Sequence, residues 1–156
     1  MSETVHTSIT LALISGLVMA LAGVLLARFA LNLMGTPNDV IDQSVLYMRI
    51  YFLGMPFFML YNYGAAILRA VGDTKRPLFF LVISGMTNAV LNLVLVIVFH
   101  MGVAGVAIGT IVSQLISSIL VLRCLYTSNT SYRLYFSKLG IKTQYLKHVF
   151  RSARLL

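Results

Sequence analysis

Ser84, Asn88 and Asn92 recur every four residues within a stretch that holds no Asp, Glu, Lys or Arg. That spacing places them on one face of a helix. A second charge-free stretch carries Thr110, Ser113, Gln114 and Ser117, which form one polar stripe of their own. Amides and hydroxyls in such surroundings offer fixed dipoles and no charge. They can hold two helices together, at about 0.6 kcal/mol per hydrogen bond, or they can line a cavity for a cation or a polar substrate. The pattern admits both uses. Gly105 and Gly109 form a GxxxG pair, and Gly85 and Ala89 flank the first stripe. Small residues of this kind permit close helix approach.

A third group lies earlier in the chain. Tyr47, Met48, Tyr51, Phe52, Met55, Phe58, Met59, Asn62 and Tyr63 decorate one apolar stretch, with Pro56 in its middle. Methionine and aromatic side chains adapt to varied apolar ligands, although packing and lipid contact use the same residues. Asn62 and Tyr63 join the cavity candidates. Pro56 removes a backbone hydrogen bond and predicts a kink, a candidate hinge.

The four acids, Glu3, Asp39, Asp42 and Asp73, all fall outside the apolar cores. A proton-coupled site needs a titrating group, and a sodium site usually needs an anionic oxygen. These stretches alone therefore do not complete such a site. No nucleophile elbow, phosphate loop or HExxH motif occurs, so no catalytic residue is assigned and an enzyme is not expected. Cys124 has no second cysteine to pair with. His6, His100 and His148 are scattered, so neither a metal site nor a tightly bound cofactor is expected. His100 sits at a helix end, while His6 and His148 lie in terminal segments and should be solvated.

The elements that must position these groups follow from composition. Apolar residues make up 59% of the 156 residues and charged residues 10%, against about 25% charged in an ordinary soluble domain. Too few charges remain for a water-facing shell, and lipid replaces water as the outer solvent. Residues 9–27, 50–68, 78–99 and 101–122 contain no charge. Each is close to the roughly 20 residues needed to cross a bilayer as a helix. Extended to their turn residues, the spans become about 9–34, 44–69, 77–99 and 102–125, within a four-helix unit over 1–126. Gly35 suits a helix end, Asp39 could cap the next helix, and Pro77 fits a first turn. The stretch before residue 9 has no Lys or Arg, unlike a secretory signal.

Ten of the twelve Lys and Arg residues lie between the second and third spans or after the fourth. The positive-inside rule makes that side, and both termini, cytoplasmic. The net charge of +8 is thus spread between and after apolar runs, with no basic surface of interleaved aromatics, which argues against nucleic acid. Membrane lipid is the expected partner. Residues 127–156 form a basic segment in which Tyr145, Leu146, Val149 and Phe150 share a helical face, away from Lys147, Arg151 and Arg154. That suits either an amphipathic surface helix or the start of a further span.

Several strings in order resemble the multidrug and toxic compound extrusion (MATE) transporters. They are Leu33-Met34-Gly35-Thr36-Pro37, Tyr51-Phe52-Leu53-Gly54-Met55-Pro56-Phe57 and Ile67-Leu68-Arg69-Ala70-Val71-Gly72-Asp73-Thr74-Lys75-Arg76-Pro77. The fourth is Met101-Gly102-Val103-Ala104-Gly105-Val106-Ala107, continuing to Thr110 and Ser113-Gln114. The resemblance implies an all-α integral membrane fold, part of a twelve-helix transporter of two six-helix lobes. This chain would supply the third to sixth helices of the first lobe and the cytoplasmic inter-lobe segment. It implies a fragment of a Na⁺- or H⁺-coupled multidrug efflux antiporter in the bacterial inner membrane, inactive alone and exporting organic, often cationic, compounds. The partners would be the missing helices of the same transporter. The resemblance also implies that Asn88 and Thr110 line the first-lobe cation cavity, with Asn92 standing where many members carry an acid. The competing expectation is an independent four-helix scaffold or assembly subunit that self-associates, for instance through Gly105 and Gly109.

Overall fold

A computed structural model describes residues 2–127. The basic segment 128–156, with its amphipathic reading and His148, lies outside the described residues. The first helix, α1 (Ser2–Leu33), is followed by α2 (Ile41–Leu53), α3 (Met55–Ala70), α4 (Lys75–Leu93) and α5 (Gly102–Thr127). A π-helical turn, Val94–Val98, closes α4. Three helical stretches, Val5–Leu33, Lys75–Val98 and Gly102–Thr127, are each long and apolar enough to cross a membrane. Together α2 and α3 pass the same test as a pair bent by 44°, which makes a fourth crossing where the pair counts as one span.

The bend falls at Gly54, two residues before the proline. Pro56 lies inside the first turn of α3. A proline cannot donate a hydrogen bond one turn back, and its ring crowds the carbonyl there, so it is tolerated in a first turn, which is where the break at Gly54 places it. What the sequence suggests as one kinked span is therefore two helices around a broken turn. Gly54 is itself buried. A side chain on it would meet Gln114 Oε1 at 2.7 Å and Ile111 at 2.9 Å.

α1 carries a seam of small residues. Ala12, Gly16, Ala20, Gly23 and Ala27 are all buried and spaced by four, four, three and four. The bent helix packs on this seam, much as small residues bring membrane helices together elsewhere. A Cβ on Gly16 would lie 2.5 Å from Pro56 Cα, and one on Gly23 would enter the Phe52 ring. At one end of the bundle Val5, Ile9, Leu60, Leu68, Val121 and Leu125 form a core, with Gly64 taking Val121. At the other end Leu31, Ile41 and Val45 form a smaller one.

Two turns end in the same way. The amide of Thr36 bonds the Leu31 carbonyl at 3.1 Å and Gly35 bonds Asn32 at 3.1 Å. Asp73 and Gly72 repeat this with Leu68 and Arg69. Gly35 (φ 70°) and Gly72 (φ 89°) supply the left-handed residue that such a helix ending requires. Asp39 does not cap α2: the cap position is Val40, and no side chain bonds there. At the next turn the cap position is Thr74, and Asp73 before it accepts from the Arg76 amide through Oδ1 at 3.2 Å.

His6 departs from expectation. It is 3% exposed and packs within the bundle, because α1 begins at Ser2 and carries His6 against the neighbouring helices. Gly85, expected to admit a neighbour, is exposed, and nothing lies within 4 Å of where its side chain would start. The close approach in this hairpin falls on α5 instead.

Candidate functional site

α4 and α5 pair as a hairpin whose contact surface is polar. Ser84 is buried and donates to the Ser113 carbonyl at 2.7 Å. One turn on, the Asn88 amide donates to the hydroxyls of Thr110 and Ser113, both at 3.3 Å. Those hydroxyls donate in turn to carbonyls of their own helix, Thr110 to Val106 at 2.9 Å and Ser113 to Thr110 at 2.8 Å. A further turn along, Asn92 donates to Asn88 Oδ1 at 3.2 Å. The four-residue spacing of the sequence thus becomes a relay of donors running in one direction, from Asn92 through Asn88 into α5.

A relay of this kind leaves an acceptor at its start. Asn92 Oδ1 is buried and has no hydrogen-bond partner. It lies against Gly109, where a Cβ would collide with it. Gly105 likewise admits the π turn: its Cβ would stand 3.1 Å from Leu95 Cβ. Both members of the GxxxG pair are turned toward α4 of the same chain, so self-association through them would require the hairpin to open. A second buried acceptor, Gln114 Oε1, is also unpartnered and faces the break at Gly54.

The structure therefore brings Asn88, Asn92 and Thr110 together and sets Gln114 one turn away, toward the bend. It does not bring Asn62 and Tyr63 to them. The Asn62 amide donates to the Phe58 carbonyl of its own helix at 2.8 Å, and Tyr63 packs against the apolar core. Sequence reasoning attached no role to Ser84 and Ser113 beyond polar stripes, yet Ser113 is bonded by both Ser84 and Asn88. Its signal was present, as it lies three residues after Thr110.

Chemically, the seam can attract a cation or a donor to Asn92 Oδ1 and Gln114 Oε1 through dipoles alone. It holds no group that titrates. Among the described residues no cluster of three His, Cys, Asp or Glu could hold a metal ion. A separate cavity of about 510 Å³ opens beside α2, lined by Leu31, Gln43, Tyr47, Met48, Tyr51 and Phe52 among others. Tyr47 and Tyr51 stack there at 6.1 Å.

Three helices long enough to cross a membrane and a bent helix pair, packed around an uncharged polar seam, define a block of a multi-pass membrane protein. The MatE family model matches residues 1–94, and the chain belongs to that family of transporters. It is 41% identical over 93 residues to "Probable multidrug resistance protein YpnP" of Bacillus subtilis, covering 60% of this chain and 21% of that protein. It is 35% identical over 142 residues to "Probable multidrug resistance protein YoeA" of the same organism, covering 88% and 30%. The chain thus spans less than a third of the length of either relative. Its fold matches an inward-facing multidrug resistance MATE family transporter of the MOP superfamily, with a TM-score of 0.85 at 23% identity. That match covers 96% of this chain and 34% of the other. An outward-facing transporter of the same description matches with the same TM-score of 0.85 at 22% identity and the same coverage.

Proposed function

We propose that this chain is the portion of a cation-coupled multidrug efflux antiporter that corresponds to the third to sixth helices of its first lobe. The complete transporter exchanges Na⁺ or H⁺ for organic, often cationic, compounds across the bacterial inner membrane. It works by alternating access, one lobe rocking against the other. Both termini of the described block are cytoplasmic, following the placement of Lys and Arg. The equal likeness to inward- and outward-facing neighbours supports a block that moves as one body.

The observation that carries the reading is the unpartnered Asn92 Oδ1 at the start of the Asn88–Thr110 relay. A buried acceptor without a donor costs about 1–3 kcal/mol, which a bound cation or its water shell offsets. The seam supplies dipoles but no charge, so an acid from helices outside this chain must complete the site. The chain alone transports nothing.

Ethidium efflux in a drug-hypersensitive strain tests both halves. Cells expressing only these 156 residues are expected to accumulate dye like empty-vector cells. Joined to the remaining helices of a relative such as YoeA, the chain should export dye, and Asn92→Ala should weaken the dependence on Na⁺ or pH. Efflux by the chain alone overturns its incompleteness. An unchanged ion dependence in Asn92→Ala overturns the role of the seam.

A further inference from the structure

The end of the bundle that carries the α3–α4 turn concentrates positive charge on a rigid frame. Lys75 and Arg76 open α4, and Arg123 lies in the last turns of α5. Asp73 is the acid among them, and it is engaged by Arg76 at 3.3 Å. Arg76 Nη1 also reaches Cys124 Sγ at 3.7 Å. That contact draws the start of α4 to the end of α5, so Lys75 and Arg123, the chain neighbours of those two residues, share one end of the hairpin. Lys75 and Arg123 are both exposed.

The frame beneath them is fixed. Leu68, Pro77 and Leu125 are fully buried, and the Tyr61 hydroxyl donates to the Pro77 carbonyl at 2.9 Å, tying α3 to α4. Below each cation the helix surface turns apolar and exposed. Leu78, Phe79 and Val82 continue the stripe headed by Lys75, and Ile119 lies one turn from Arg123. A cation at the interface above an exposed apolar stripe matches a molecule with an anionic head and acyl chains.

We propose that Lys75, Arg76 and Arg123 form a binding site for an anionic phospholipid of the leaflet that meets the α3–α4 turn. The phosphate sits over the Arg76–Cys124 contact, and the acyl chains lie along Leu78, Phe79 and Ile119. Arg76, already held by Asp73, orders the site. Lys75 and Arg123 supply the net charge that selects an anionic head. Each cation near a membrane surface contributes about a fivefold factor in affinity, so their joint removal should weaken binding about thirtyfold.

The test uses the full chain in phosphatidylcholine nanodiscs doped with phosphatidylglycerol. Lipid retained per chain is counted by native mass spectrometry after release. The wild type should keep phosphatidylglycerol, and K75Q/R123Q should lose it. R28Q/R49Q removes the same charge at the opposite end and should keep it. Equal retention by K75Q/R123Q and wild type overturns the site. Equal loss in R28Q/R49Q overturns it too, since diffuse attraction would then suffice. Circular dichroism checks that each variant keeps its helices. If K75Q/R123Q does not fold, retention by the wild type is followed as salt rises, and a salt-independent count overturns the proposal.

Discussion

Two helix interfaces in this small bundle are built on opposite principles. Where α1 meets the bent pair α2 and α3, contact is by shape. Glycines and alanines on α1 let Pro56 and Phe52 approach until no room remains for a methyl group. Where α4 meets α5, contact is by hydrogen bonds through Ser84, Asn88, Asn92, Thr110 and Ser113. The first interface has no slack where Gly16 and Gly23 meet Pro56 and Phe52, and no polar side chain takes part in those close contacts. The second keeps an unpaired acceptor. Lipid offers apolar helices no hydrophobic reason to associate, so a membrane protein relies on close packing or on polar contacts. Here the two devices are separated in space, and the one with spare chemistry coincides with the candidate cation cavity.

The sharpest way to break this contrast is Gly16→Ala. Its methyl would meet backbone atoms of Met55 and Pro56, which cannot rotate away. A cost of about 3 kcal/mol is expected, the upper range for overpacking, read as a lower unfolding midpoint in detergent. Asn88→Ala should follow, at about 2 kcal/mol, because Asn88 takes part in three side-chain hydrogen bonds worth about 0.6 kcal/mol each. Gly109→Ala meets only the free end of Asn92, which can turn. Its expected cost is about 1 kcal/mol, the scale of an off-rotamer side chain, with release of the Asn92–Asn88 bond. If Gly16→Ala and Gly109→Ala cost the same, the distinction between the interfaces is lost.

Pro56→Ala should have the smallest effect, below about 1 kcal/mol, because Gly16 and Gln114 hold the bend from both sides. Spin labels at Leu46 and Ala66, both exposed, would report it in a Cys124→Ser background. The distance between them is expected to stay unchanged in Pro56→Ala. A lengthening toward that of a straight helix would assign the bend to the proline itself.

The crossings and their order were legible in the sequence because charge and hydropathy partition a membrane chain cleanly. The α4–α5 seam was legible too, since polar residues stand out at four-residue spacing against an apolar background. The α1 seam was not. Ala12, Gly16, Ala20, Gly23 and Ala27 keep a regular spacing, but small apolar residues merge into a uniformly apolar run. Their role depends on what packs against them, which lies far along the chain. Asn62 has the polarity of a cavity residue, yet its amide donates to the backbone of its own helix. His6 looked terminal, and only the length of α1 brings it inside. The break falls at Gly54 rather than at Pro56, because a proline fits the first turn of the helix that follows the break.

The π turn at Val94–Val98 holds one more residue than an α-helical turn of the same height. It is a store of chain length placed just beyond Asn92 and just before the hairpin. Removing one residue there lets the helix tighten to the α form without rotating Ser84, Asn88 or Asn92, all of which precede it. The same deletion a few residues earlier would swing Asn92 by about 100° out of the seam. This chain can therefore gain or lose a residue at this end of α4 while the polar face stays in register, which makes the turn a joint as well as a fold element.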